Sequence, residues 1–194
     1  ILWDLNYFKY CFLKATGLEF QEDKLENEFE RLAYILLQSK MTAFMYRDFQ
    51  SRNVMVVEKT VKGSDGSEVQ ELVPYFIDFQ GGRKGPVFYD VASFLWQAKA
   101  NYPESLRKEL LDEYMDALGK YVTIDRNEFF CQLRHFVLFR TLQVLGAYGF
   151  RGWVEKKANF VVTIPEAVRS LAELLEQPYE DYPYMMEVLK EMVA

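Results

Sequence analysis

Apolar residues recur along most of this chain with the period of a buried helical face. Leu25, Phe29, Leu32, Ala33, Leu36 and Leu37 follow the i, i+4, i+7, i+8, i+11, i+12 rhythm, so a helix is predicted there with all six turned inward. Leu106, Leu110, Leu111, Tyr114, Met115 and Leu118 form a second stripe, with Gly119 as its stop. Tyr89 to Ala100 reads as a largely buried helix. Asp125-x-x-Glu128 has the form of a capping box and opens a long helix through Leu145. Pro165 marks the first turn of a helix that ends before Pro178, and a last helix covers about Tyr184 to Met192. The pattern changes once. Val54-Met55-Val56-Val57 and Leu72-Val73-Pro74-Tyr75-Phe76-Ile77 flank the polar, turn-rich stretch Lys62-Gly63-Ser64-Asp65-Gly66-Ser67, which predicts a β-hairpin. One hairpin among roughly seven helices makes a mainly α fold, read as a single domain over residues 1–194.

Composition narrows the class. A chain of 194 residues, half of them hydrophobic and 16% aromatic, can build a sizeable core. The net charge of −6 argues against general nucleic-acid binding, which favours basic faces, but leaves room for a local basic pocket. No apolar run reaches the roughly 18 residues a membrane span needs, and no signal peptide is recognisable, so a cytoplasmic protein is expected. Cys11 and Cys131 both lie in apolar helical patterns and read as buried thiols in a reducing compartment. His135, the only histidine, reads as a packed residue of the long helix, and no His/Cys cluster has zinc spacing.

The candidate chemistry lies around the hairpin. Asp48 and Asn53 stand five residues apart in a polar loop, and Asp78 ends the second apolar run. Pairing the two strands brings their outer ends together, so Asn53 and Asp78 meet at one mouth. Phosphoryl transfer from a metal-bound nucleotide needs such a set: a carboxylate to orient the attacking hydroxyl, with an amide and a second carboxylate to hold Mg²⁺. The Asp-x-x-x-x-Asn spacing is that of kinase-like catalytic loops, whose usual form begins His-Arg-Asp; here Tyr46 stands in place of the His.

The run Phe44-Met45-Tyr46-Arg47-Asp48-Phe49-Gln50-Ser51-Arg52-Asn53-Val54-Met55-Val56 resembles the catalytic segment of the aminoglycoside phosphotransferase superfamily. Ile77 to Ser93, beginning Ile77-Asp78-Phe79-Gln80-Gly81-Gly82, is similar to its metal-binding segment and following helix. Arg140 to Phe150 resembles a narrower branch that includes bacterial kinases for N-acetylmuramate and N-acetylglucosamine. The resemblance implies ATP and Mg²⁺ as cofactors, Asp48 as catalytic base, and Asn53 and Asp78 as metal- and nucleotide-binding residues. It also implies that Asp90 and Tyr46 support the catalytic loop. It implies a protein-kinase-like C-terminal lobe. Chain start within an apolar run and the lack of a G-x-G-x-x-G hairpin suggest that the N-terminal lobe lies outside this chain, as a missing partner half.

Arg47 and Arg52 flank Asp48 and would offset charge on the transferred phosphoryl, or else serve as paired surface residues. Arg140 and Arg151 are candidates for the acceptor pocket, where a carboxylate-bearing sugar would suit them. Trp3, Trp96 and Trp153 either stack on a sugar or, as expected more often, pack in the core. Gly81-Gly82-Arg83-Lys84-Gly85 reads as an activation-segment-like loop rather than a phosphate cradle, or else as a plain exposed turn. The function expected is transfer of phosphate to a small-molecule hydroxyl, an amino sugar first. An aminoglycoside or choline-like alcohol is the alternative acceptor, and a non-catalytic interaction module is the alternative in kind.

Overall fold

The computed structural model describes residues 1–62 and 64–194; Gly63, in the predicted hairpin turn, lies outside the described residues. Helix α5 (Arg126–Gly149) is the axis of the fold, because from Phe136 to Leu142 it is buried on every side. Phe129, Leu133, Phe136, Val137, Leu138, Phe139, Leu142 and Leu145 are all buried. The Asp125 side chain accepts from the Glu128 N–H at 3.0 Å, capping the first turn. The helix outruns its predicted end and passes into a π-helical turn over Phe150–Val154.

Against it lies α1 (Leu2–Phe8), extended by a π-helical turn over Lys9–Leu13. Two glycines permit this contact. A Cβ on Gly149 would sit 2.1 Å from the Cys11 carbonyl oxygen, and one on Gly146 would sit 2.9 Å from the Phe8 backbone. The pairing runs parallel: Asp4 is bonded to Gln143, Phe8 meets Gly146 and Cys11 meets Gly149. The turn also buries Lys9 completely, with its ammonium bonded to Glu22 and Glu26 of the next helix. Helix α2 (Glu22–Leu37) packs on α5 and on the last helix. It buries Leu25, Phe29, Leu32, Ala33 and Leu36. Leu37, the sixth position of the predicted stripe, is instead 72% exposed where the helix ends.

Two small antiparallel sheets complete the front of the molecule. Strands β1 (Thr42–Met45) and β4 (Arg83–Pro86) pair with Thr42 opposite Pro86 and Met45 opposite Arg83. Strands β2 (Val54–Lys62) and β3 (Glu68–Phe76) form the predicted hairpin, from Val54–Phe76 to Lys62–Glu68. The first sheet corrects the sequence reading, in which residues 81–85 formed a loop. Gly85, opposite Ala43, leaves room for the Met45 side chain, whose sulfur a Cβ there would meet at 2.6 Å. As a result β1 ends just before Tyr46 and β4 starts shortly after Asp78, so one ladder ties down both candidate segments.

Helix α3 (Phe88–Leu95) stops at Trp96, short of the predicted Ala100; Asn101 is left-handed and Pro103 follows. Helices α6 (Ala158–Val161) and α7 (Ile164–Leu175), with Pro165 in its first turn, pack on α5; α8 (Pro183–Val193) packs on α2 and α7, and α4 (Glu104–Gly119) meets α5 through the Asp112–Arg126 ion pair and the Tyr114 and Phe129 rings. The described residues are mostly helical, in keeping with a kinase-like fold. None of their helices is long and apolar enough to cross a membrane.

Two other expectations change and one holds. Cys131 is exposed and Cys11 only half-buried, where two buried thiols were expected. Trp3 and Trp153 are 72% and 39% exposed, so they are not core residues. His135 does pack as expected, with Nδ1 3.1 Å from the Tyr182 hydroxyl.

Candidate active site

Asp90, in the first turn of α3, organises the loop that carries the candidate chemistry. One of its carboxylate oxygens accepts the Tyr46 N–H at 2.5 Å and the other accepts the Arg47 N–H at 2.9 Å. Burial raises the Asp90 pKa, while these two N–H groups and the Arg140 charge pull against that rise. The bonds also hold Arg47 in a left-handed backbone conformation, φ +76°, which costs a residue with a side chain about 1–3 kcal/mol. This bend turns the chain so that Asp48 faces a cleft.

Asp48 receives an Arg52 N–H at 3.0 Å. Its backbone carbonyl accepts the Asn53 side-chain amide at 2.8 Å. That bond fixes the Asn53 rotamer and leaves its Oδ1 without a protein donor among the described residues. The Asn53 carbonyl in turn accepts the Ile77 N–H at 3.1 Å, so Asn53 and Asp78 flank the open end of the hairpin. Asp78 is the second left-handed residue of the site, φ +66°, and its carboxylate accepts the Gln80 amide at 2.7 Å. Tyr46 links the two halves, its hydroxyl donating to the Ile77 carbonyl and its ring lying against Phe49 and Phe79. Burial, then the charges of Asp78, Asp48 and Asp90, raise the Tyr46 pKa, which keeps this donor protonated.

Asp48 and Asp78 open onto one cleft of about 870 Å³. Asn53 is buried and is not one of the residues that line this cleft; it lies behind the wall, bonded to the Asp48 carbonyl. Two oxygen donors, one amide and one carboxylate, suit Mg²⁺, which binds few protein ligands and leaves room for phosphate oxygens. They suit zinc poorly, and no group of three or more His, Cys, Asp or Glu is placed to hold a metal among the described residues.

The far wall comes from α1, α5 and α6. Arg140 is nine-tenths buried there and donates to the Tyr89 hydroxyl at 2.8 Å, the Ser93 hydroxyl at 2.8 Å and the Gln143 side-chain carbonyl. All three acceptors are neutral, and the Arg140 Nε–H has no partner among the described residues. Gln143 passes the network on to Asp4 at 2.9 Å. Arg151 lies over the Phe160 ring at 5.3 Å and lines the same cleft. Sequence reasoning had no means of finding Asp4, Tyr89, Ser93 or Gln143 here, because each is brought in by contacts across the fold.

The sequence profile of the phosphotransferase enzyme family (APH) matches residues 12–126, more than half of the chain and the whole segment from Tyr46 to Asp90. No curated protein matches the chain. By the family match, and with the loop and hairpin geometry just described, the chain belongs to the phosphotransferase enzyme family.

Proposed function

We propose that this domain transfers a phosphoryl group from ATP to a hydroxyl of a small molecule, an amino sugar of the N-acetylmuramate or N-acetylglucosamine kind. One observation carries the proposal: Asp48 and Asp78 face a single cleft, with Asn53 bonded between their segments. Asp48 is the general base, accepting the acceptor's hydroxyl proton as the oxygen attacks. Arg52, bonded to Asp48, holds that carboxylate in place and adds positive charge where the phosphoryl passes. Arg47 lines the cleft beside them. Asn53 and Asp78 would hold Mg²⁺, whose contribution is to neutralise phosphate charge. Because the transition state is loose, positioning and electrostatics supply most of the acceleration. Residues 1–194 then form the C-terminal lobe of a two-lobed enzyme, with the remaining nucleotide contacts made by an N-terminal lobe.

Charge supports a sugar over a polycationic aminoglycoside. Arg47, Arg52, Lys99, Arg140 and Arg151 line the cleft against only Asp4, Asp48 and Asp78. The cleft is therefore cationic in a chain of net charge −6, and would repel a polyamine.

The test is phosphate transfer from labelled ATP to a panel of amino sugars, aminoglycosides and choline, using the intact polypeptide that carries this domain. Asp48→Asn should lower kcat by about two to four orders of magnitude while leaving the unfolding transition in place. Turnover within about threefold of wild type would remove Asp48 from the mechanism.

A further inference from the structure

Trp3 is the least explained large side chain near the site. It is 72% exposed, although burying an indole is among the larger gains a fold can make. One face is stacked on Tyr7, with centroids 5.0 Å apart and planes 12° from parallel, and Tyr7 rests in turn against Phe150. The other face is open, and the residue lines the cleft that holds Asp48. Its position is built. Gly146 and Gly149 let α1 settle directly on α5, and Asp4, the next residue, is bonded to Gln143. Trp3 thus borders the same cleft as Arg140, whose Nη1 is taken up by Tyr89 and Gln143 and whose Nε–H is buried, leaving one Nη2 N–H beyond the Ser93 bond for a ligand. A flat apolar face in the same cleft as an unused N–H donor matches a pyranose, whose C–H face is apolar and whose rim carries oxygens.

We propose that Trp3 is the platform on which the acceptor's sugar ring lies, with Arg140 donating to an oxygen substituent on the ring's rim. This makes Trp3 a specificity-determining residue. It deepens the sugar-kinase reading above and rests on it only for the identity of the ligand. Trp3 and Arg140 both lie outside the segment matched by the family profile.

The first experiment needs no nucleotide. N-acetylglucosamine is titrated against the protein, following tryptophan fluorescence and ligand saturation-transfer signals, with sorbitol as an acyclic polyol control. Wild type should bind the pyranose and not sorbitol. Trp3→Ala should weaken binding by about tenfold or more, and Trp3→Phe should stay within about threefold of wild type. Both variants should unfold with wild-type midpoints, because Trp3 is mostly solvent-exposed. In turnover, Trp3→Ala should raise the acceptor KM by about tenfold with kcat within about threefold. Sugar binding unchanged in Trp3→Ala overturns the platform while leaving the phosphotransferase reading intact, and so does failure of wild type to bind any pyranose. Trp3-dependent sugar binding without phosphate transfer to any acceptor supports the platform and overturns the kinase reading instead.

Discussion

Gly149→Ala should destabilise this domain, while the same change at Gly119 should stabilise it. The two substitutions share their helix-propensity gain, about 1 kcal/mol for replacing a helical glycine by alanine. They differ in what the new methyl group meets. At Gly149 it would lie 2.1 Å from the Cys11 carbonyl oxygen and 3.1 Å from the Phe12 Cα, both backbone atoms that cannot swing aside. Restoring normal contact requires α1 and α5 to part by about 1 Å, and such overpacking costs about 3 kcal/mol. The net loss is therefore about 2 kcal/mol, equivalent to about 1 M in the urea midpoint. At Gly119, the last residue of α4, nothing lies within 4 Å of the new Cβ, so a gain of about 0.5–1 kcal/mol is expected. Urea unfolding followed by far-ultraviolet circular dichroism measures both. Because α1 carries Trp3 and Asp4, Gly149→Ala should also weaken sugar binding. A Gly149→Ala protein as stable as wild type, or two variants shifting in the same direction, would refute the close-packing account.

Two further outcomes follow from the buried polar groups. Asp90→Ala removes the acceptor of two backbone N–H groups and the restraint on left-handed Arg47. Stability should fall by about 2–3 kcal/mol and kcat at least about tenfold, measured by urea unfolding and turnover. Burial holds the His135 pKa below its ordinary value of 6.5, against the opposing charge of Asp181, so the unfolded chain takes up this proton first. Stability should therefore decline as pH falls below about 6.5 until the depressed folded value is passed, and His135→Gln should flatten that part of the profile.

What could be read from the sequence was what local spacing determines. Periodic stripes placed α2 and α4, because each buries a face made by its own neighbours in sequence, while the Asp125-x-x-Glu128 capping box opened α5 and Pro165 and Pro178 bounded α7. The hairpin pattern was enough to place Asn53 and Asp78 at one end of β2 and β3, since antiparallel register does that directly. The β1–β4 sheet escaped notice: its strands are four residues long, mostly exposed, and one of them contains Gly85 and Pro86. Left-handed Arg47 and Asp78 carry no local signature either, because the bonds of Asp90 and the ends of two sheets impose those conformations. Trp3 looked like core because it sits in an apolar run, and only the crossing of α1 on α5 shows that it borders a cleft. The signal for that crossing was present in Gly146 and Gly149, which without coordinates could not be assigned a partner helix.

The most direct test of the central claim is calorimetric titration of ATP into the intact enzyme with and without Mg²⁺, for wild type, Asn53→Ala and Asp78→Ala. Wild type should lose affinity by at least about tenfold when the metal is withheld, and both variants should bind equally weakly under the two conditions. Full metal-dependent affinity in either variant would contradict the assignment of that residue to the cation.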